Sequence, residues 1–158
     1  MGRQLCEEDK DILKVNKDGL TIDQLISFCK DARPLDLLEA ELMYGCKFGD
    51  FPIKELKNAW VLQDTDDGTV YAIGGIDNHI VWMLCTNAVE RNPVTFLRFI
   101  RRFYRETIGD YKMLWNYALT DNKLHINWLS WLGATFHDEI ELNNKKFIRF
   151  IFRRKEDR

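Results

Sequence analysis

The segment from Trp115 to Phe136, WNYALTDNKLHINWLSWLGATF, constrains the fold most because it joins a strand, a turn, a helix and a glycine stop. An apolar run of strand length, 113–119, ends at Thr120-Asp121-Asn122, whose side chains commonly cap helices. The large apolar residues that follow recur at helical spacing: Leu124, Trp128, Leu129, Trp131 and Leu132. Gly133 then favours a helix end. The pattern predicts a strand followed by a helix that buries two tryptophans.

The remaining chain alternates helix and strand patterns. Helices are predicted from Thr21 to before Pro34, over 35–44 and over 93–108, and strands over 12–15, 59–63, 70–76, 79–86, 135–142 and 147–152. The order is β-α-α-β-β-β-α-β-α-β-β, which indicates an α/β fold. The apolar run Ile80–Cys85 predicts a strand buried on both faces at the middle of the sheet.

Composition indicates a globular chain. Its 158 residues fit one domain over 1–158, with 1–10 expected to be mobile, and the hydrophobic content of 46% can fill a core. The formal charge of −2 gives no reason to expect a dedicated nucleic-acid site or a membrane surface. The four cysteines lack metal-site spacing, so we expect free thiols and no metal. With no long apolar run and no signal-peptide pattern, we expect a cytoplasmic protein.

Several segments resemble a known superfamily. The order strand, Asn, helix, aromatic pair, Leu-Gly, small residue and Phe is similar to the last helix and its exit in the GNAT N-acyltransferases. HINWLSWLGATF, IVWMLCTNAVERNPVTFLRFIRR and DARPLDLLEAELMYG resemble, more closely, small GNAT-like proteins of tailed bacteriophages, over roughly 20–152. The resemblance implies a central mixed sheet of about seven strands flanked by about four helices. It also implies that strands 80–86 and 113–119 are parallel neighbours that diverge at their carboxyl ends.

The resemblance locates a cofactor loop. In GNAT enzymes a glycine-rich loop after the central strand holds the pyrophosphate of coenzyme A through backbone N–H groups. The corresponding segment here, 87–95, has no glycine, carries Glu90 and contains Pro93, which lacks an N–H. An anion could still be received by the amides at the following helix start, with a basic side chain and the Asn of the family pattern. The cofactor-binding candidates are therefore Val94, Thr95, Phe96, Arg91 and Asn122, and weak or absent acetyl-CoA binding is expected.

The family's proton donor is also missing. Seven residues after Asn122, where GNAT enzymes usually have a Tyr that protonates the leaving thiolate, this chain has Leu129. Tyr117 and His125 are the candidates to replace it, since both can donate a proton. The structural alternatives are a hydrogen-bonded His125 in the core and an Asn122 that caps the helix. Asp77, His79 and Glu41 are general-base candidates without a distinguishing spacing.

Three further features have both a structural and a functional interpretation. Asp36, Glu39 and Glu41 predict a solvated helix face, with a catalytic role as the alternative. Gly74-Gly75 inside a strand indicates a bulge or a close backbone approach. Arg98, Arg101, Arg102 and Arg105 share one helical face, which is either solvated or binds an acidic partner such as a phage or host protein.

Two functions fit these patterns. One is an acyl-CoA-dependent N-acetyltransferase with a degenerate cofactor loop. The other is a non-enzymatic phage protein that uses the same fold in virion assembly, inside the virion or in contact with a host factor. In the second case the protein would be in the host cytoplasm or associated with the virion.

Overall fold

The computed structural model describes the backbone of 13–16 and residues 19–51, 56 and 59–154. The strands are β1 (Leu13–Asn16), β2 (Trp60–Asp64), β3 (Val70–Asp77), β4 (Ile80–Cys85), β5 (Met113–Leu119), β6 (Thr135–Leu142) and β7 (Lys145–Arg153). The helices are α1 (Ile22–Asp31), α2 (Pro34–Tyr44), α3 (Ala88–Arg91), α4 (Pro93–Ile108) and α5 (Lys123–Leu132), with a 3-10 turn at Phe48–Asp50. The predicted α/β order is confirmed, and the one added helix, α3, lies in the segment predicted as a polar connection. The predicted mobile segment 1–10 lies outside the described residues.

One mixed sheet holds the strands in the order β1-β2-β3-β4-β5-β7-β6. All neighbouring pairs are antiparallel except β4 and β5, which are parallel and pair only at Ile80 and Trp115. The N–H of Trp115 donates to the carbonyl of His79 at 3.0 Å. Beyond this point the strands diverge, as the sequence predicted.

Both sides of the sheet are covered. On one side Phe28 of α1 and Ala40 of α2 pack with Ile73 and Leu84 of the sheet. On the other side Phe96 and Ile100 of α4 pack with Tyr71 and Cys85, and Leu129 of α5 packs with Leu114 and Ala118. The apolar faces of the helices thus cover both sides of the sheet, with one core cluster under α1 and α2 and two under α4 and α5.

Local sequence signals fix the helix ends. Thr21 forms a capping box with Gln24 at the start of α1, as its position predicted. Gly133 adopts a φ of 102° after α5, and its N–H donates to Leu129 and Ser130 carbonyls. A left-handed residue at this position costs little only for glycine, which explains the helix end.

Two burial predictions are wrong in part. Only Leu84 and Cys85 of β4 are buried, because the helices cover the carboxyl end of this strand: Leu84 packs with Ala40 of α2 and Cys85 packs with Phe96 of α4. Trp131 is 49% exposed, whereas Trp128 packs against Phe96 with 4.9 Å between ring centroids. The helix α5 therefore packs Trp128 against the core and leaves about half of the Trp131 side chain exposed to solvent.

Gly74 and Gly75 mark a close approach of chains and no bulge. Both pair in register with β4, and the register shift between β2 and β3 falls at Leu62 and Gln63. A Cβ on Gly74 would lie 2.7 Å from the Trp82 carbonyl oxygen, and one on Gly75 would lie 2.9 Å from the Trp82 indole nitrogen. The missing side chains let β3 and β4 pack this closely.

Cys29, Cys46 and Cys85 are free thiols, as predicted, and Cys6 lies outside the described residues. Among the helices of the described part of the chain, none has the length and apolar content needed to cross a membrane.

Candidate functional site

The divergence of β4 and β5 opens a cleft of about 940 Å³. Its walls include Met43 and Tyr44 of α2 on one side of the sheet and residues of α4 and α5 on the other. Aromatic side chains are prominent in the lining: Trp60, Trp82, Tyr104, Trp115, Tyr117 and Trp128. The cleft therefore passes between the two strands and is mainly apolar, as ligand and peptide sites commonly are.

Two carboxylates of α2 bind the carboxyl ends of the diverging strands. Asp36 Oδ2 accepts the backbone N–H of Cys85 at 2.7 Å, and Glu39 Oε2 accepts the backbone N–H of Leu119 at 2.8 Å. Both side chains are buried, at 4% and 7% exposure. The prediction of a solvated face is wrong for Asp36 and Glu39, because they replace the strand-to-strand hydrogen bonds that the divergence removes. Glu41 is partly exposed and accepts the N–H of Phe48 at 2.7 Å.

Arg33 supplies the opposite charge. This buried guanidinium donates from Nη1 to Asp36 Oδ1 and from Nε to Glu90 Oε2, the latter at 3.0 Å. Burial raises the pKa of Asp36, and the charges of His125 and Arg33 oppose that rise. A buried charge needs such partners, and together they tie α2 to the segment after β4.

Asn122 belongs to the same network. Its Nδ2 donates to Asp36 Oδ1 at 2.9 Å, its Oδ1 lies 3.4 Å from both terminal nitrogens of Arg33, and the residue is fully buried. The side chain makes no capping hydrogen bond to α5, although Asn122 occupies the N-cap position. The cap interpretation is therefore wrong. The cofactor contact of Asn122 stays a prediction, and its amide is already engaged with Arg33 and Asp36.

His125 lies at the cleft and is held by Glu39. Its Nδ1 is 3.0 Å from Glu39 Oε1, and its side chain is 20% exposed. Burial alone would lower the pKa of His125, but the charge and hydrogen bond of Glu39, with the charge of Asp36, raise it above the ordinary value. A histidine oriented by a carboxylate is a common acid–base arrangement. Sequence reasoning named His125 as a candidate and gave Glu39 a catalytic role as the alternative, but it did not predict that the two would pair, because they are far apart in the chain.

Tyr117 also lines the cleft, on the half-buried inner strand β5. Its ring is 6.0 Å from that of Trp115, and its backbone N–H donates to Asn116 Oδ1 at 2.7 Å. The Nδ2 of Asn116 donates in turn to the carbonyl of Val81 at 2.9 Å. Asn116 therefore bridges the strands where backbone pairing has ended, a role that the sequence did not indicate. Glu41 accepts the backbone N–H of Phe48, and His79 Nδ1 lies 3.1 Å from the Met113 carbonyl oxygen, so neither of these general-base candidates is paired with the other.

The loop expected to hold a pyrophosphate is closed by its own hydrogen bonds. From Thr86 to Asn92 every backbone N–H has a protein acceptor: Tyr71, Asp31, Thr86, Asn87 and Ala88 supply them. Amides bind phosphate only when their N–H groups are free to point at it. Glu90 adds a carboxylate beside Arg33, and Pro93 has no N–H. The residues of this loop therefore do not fit the cofactor's pyrophosphate.

The other predicted cofactor residues are spread over different environments. Arg91 Nη2 binds Asp31 Oδ2 at 2.9 Å, Val94 is 60% exposed, and Phe96 is in the core. Thr95 is partly buried in the first turn of α4. The Phe96 N–H donates to the Asn92 carbonyl at 3.2 Å, and a contact of the Val94 and Thr95 amides with an anion stays a prediction.

The part of the chain that the structure describes shows no metal centre, and its buried thiol, Cys85, is not activated. No group of three His, Cys, Asp or Glu side chains there has the geometry of a metal site. Burial, with the negative charge of Asp36, raises the pKa of Cys85 well above its usual value. The Cys85 thiol is therefore a poor nucleophile.

Solved structures share this fold at low sequence identity. A spermidine N-acetyltransferase from Vibrio cholerae, solved with CoA and spermine, superimposes with a TM-score of 0.59 and 11% identity over 89% of this chain and 95% of its own. A GCN5-related N-acetyltransferase from Kribbella flavida gives a TM-score of 0.59 and 10% identity over 91% of this chain and 99% of its own. The GNAT fold that the resemblance implied is thereby confirmed. At these identities the likeness concerns the fold alone.

The sequence itself matches a phage family. The probable scaffold protein gp13 of Escherichia phage T7 is 32% identical over 76 residues, which are 46% of this chain and 55% of that protein. The match thus spans little more than half the length of the curated relative. The profile of the family described as "Bacteriophage T7, probable scaffold protein Gp13" matches residues 61–141, half of the chain, and includes β2 to β6. This chain belongs to the family of the bacteriophage T7 probable scaffold protein Gp13.

Proposed function

We propose that this chain is a GNAT-like phage protein that acts in particle assembly by binding other proteins, without acetyl-CoA chemistry. The observation that carries the proposal is the loop 86–92, where each backbone N–H already has an acceptor in the protein. An incoming pyrophosphate would have to displace these bonds and approach the Glu90 carboxylate. The curated relative is named a probable scaffold protein, which agrees with this proposal.

The strand ends support the same conclusion. In GNAT proteins the opening between the central strands admits the acyl group and substrate. Here Asp36 and Glu39 bind the N–H groups at the ends of β4 and β5, and Arg33 and Asn122 surround Asp36. These groups satisfy one another, so a ligand that bound the strand-end N–H groups would have to displace a buried carboxylate and break its ion pair or hydrogen bonds. The protein would act in the host cytoplasm and in the assembling particle.

Titration of acetyl-CoA into the purified chain tests the proposal. We expect no measurable heat at about 1 mM ligand, because losing two charge-assisted hydrogen bonds weakens binding by about 3–6 kcal/mol, or two to four decades. The spermidine N-acetyltransferase solved with CoA serves as the positive control. Binding at low micromolar concentration or tighter would overturn the proposal.

A second candidate function is N-acetyl transfer, and the pair of His125 and Glu39 at the cleft favours it. In that case His125 would donate the proton to the leaving thiolate of coenzyme A, and Tyr117 would line the part of the cleft that receives the acceptor amine. Incubation with acetyl-CoA and a panel of amines distinguishes the two functions. Turnover that disappears in the His125→Gln variant and persists in the His137→Gln variant, whose histidine is exposed, would support the enzyme.

A further inference from the structure

The outer side of α4 forms a basic surface, here named the arginine face, that consists of Arg98, Arg101, Arg102, Arg105 and the neighbouring Trp131 of α5. We infer that the arginine face binds the acidic edge strand β6 of a second copy of this chain. Whether the cleft binds a cofactor does not affect this inference.

Aromatic rings hold two of the arginines in place. Arg101 Cζ lies 5.3 Å from the centre of the Trp131 ring, and Arg102 Cζ lies 5.3 Å from that of Phe99. A guanidinium stacked on a ring keeps its N–H edge available for a carboxylate and loses less conformational freedom on binding. Trp131 is 49% exposed and adds apolar area beside the charges.

Three of the four arginines of this face, Arg101, Arg102 and Arg105, are not neutralised by another residue of the part of the chain that the structure describes. Arg101 and Arg105 are exposed and Arg102 is partly exposed, and none of the three forms an ion pair with another described residue. The nearest acidic residue along the helix is Glu106, which is also exposed. Arginine and tryptophan together are the residues most enriched in the energetic centres of protein interfaces.

The complementary charge lies on β6, at the end of the sheet. Glu139 and Glu141 are exposed, and each is one residue away from Ile140, so both point to the same side of the strand. Glu139 pairs with Ile148 of β7, and Ile148 pairs in turn with Ala118 of β5, so the three side chains lie on the same side of the sheet. On that side Ala118 packs against Leu129 of α5. The two glutamates thus lie on the side of the sheet that carries α4 and α5.

The spacing of the two charge pairs matches. Arg101 and Arg105 are one helical turn apart, about 6 Å along the axis, and Glu139 and Glu141 are two strand residues apart, about 6.8 Å. Each guanidinium can therefore meet one carboxylate with little change in either element. Asp138 already binds Arg149 at 2.8 Å, whereas neither Glu139 nor Glu141 forms an ion pair with another described residue, so Glu139 and Glu141 are the acids assigned to the contact.

A second copy fits better than a polyanion. The chain carries a net charge of −2, so its overall field does not attract nucleic acid, whereas two like copies can align a basic and an acidic patch. Because both patches lie on the same side of the sheet, the contact can be reciprocal and form a closed dimer with twofold symmetry. Exposed ion pairs are individually weak and are screened by salt, so the association should be weak and sensitive to salt.

Sedimentation velocity of the full chain tests the inference. At about 0.1 M NaCl, where charges interact over about 10 Å, we expect concentration-dependent dimers, and at about 1 M NaCl, where the range is about 3 Å, we expect monomers. The double variant Arg101→Glu/Arg105→Glu should weaken self-association at least about tenfold, as should Glu139→Arg/Glu141→Arg. Mixing the two variants should restore dimers, because each acidic patch again meets a basic one.

A matched variant controls for net charge. Lys30→Glu/Lys47→Glu changes the charge by the same amount at exposed positions on the side of the sheet that carries α1 and α2, and it should leave self-association unchanged. A chain that stays monomeric at about 0.1 M NaCl, or variants that fail to restore dimers when mixed, would overturn the inference. Binding of a labelled DNA duplex that is lost only in the arginine variant, without any dimer, would assign the arginine face to nucleic acid instead.

Discussion

The carboxylate of Asp36 accepts the backbone N–H of Cys85 at 2.7 Å, so a helix side chain takes the hydrogen-bonding position that a neighbouring strand would fill. Glu39 does the same for Leu119 at 2.8 Å. One turn of α2 therefore holds both strand ends apart. The opening between β4 and β5 is thus stabilised from within by charged groups that also satisfy one another.

Replacing Asp36 by Ala should destabilise the protein by about 3–5 kcal/mol, because the buried guanidinium of Arg33 would lose one of its two carboxylate partners and the buried N–H of Cys85 would lose its acceptor. Urea unfolding followed by far-UV circular dichroism measures the loss. Asp110→Ala, at an exposed position after α4, should change the free energy of unfolding by less than about 0.5 kcal/mol. Equal effects of the two substitutions would contradict the role given to the buried network.

Stability should depend on the protonation of His125. The pKa of His125 is raised in the folded protein, so the folded state binds this proton more tightly than the unfolded state. The resulting stabilisation is fully present below the ordinary histidine pKa of about 6.5 and is lost as pH rises through the raised value. Urea midpoints between about pH 6 and pH 9 should therefore fall for the native chain. Over the same pH range the urea midpoint of His125→Gln should fall much less. The urea midpoint of the control variant His137→Gln should fall as much as that of the native chain.

The two glycines of β3 should differ in their tolerance of a side chain. Gly74→Ala would place its Cβ 2.7 Å from a backbone oxygen that cannot move independently, and we expect a loss of about 1–3 kcal/mol. Gly75→Ala meets only the Trp82 indole, which can turn, so the loss should be smaller. Gly49→Ala, with no atom within 4 Å of the added Cβ, is the control. Thermal unfolding of the three variants ranks their losses of stability. A Gly74→Ala variant as stable as the native chain would be inconsistent with the close approach of β3 and β4 at this position.

The two tryptophans of α5 should contribute unequally. Trp128→Ala should cost about 3 kcal/mol because it removes a ring packed on Phe96. Trp131→Ala should cost less than about 1 kcal/mol, since half of its surface is already in water. Chemical unfolding of both variants measures the two losses in the free energy of unfolding. Similar losses would show that Trp131 contributes more to stability than its contact with Arg101 explains.

The sequence by itself determined the order of helices and strands, because that order depends on local patterns. Apolar periodicity, the Thr21 capping box and the left-handed Gly133 act over a few residues, so each could be read from the chain. The likeness of the segment 113–136 to GNAT proteins then predicted the parallel pair β4 and β5. The missing glycines in 87–95 likewise indicated a loop that is poorly suited to a pyrophosphate.

Only the tertiary structure decided what the charged residues do. Asp36 and Glu39 have the spacing of a solvated helix face, and they are buried because distant residues supply their partners: Arg33, Cys85, Leu119, Asn122 and His125. The exposure of Trp131 likewise depends on which helix covers α5. A buried charge is stable only when the fold brings its counter-charge and donors together, and no local pattern records which distant residues will meet.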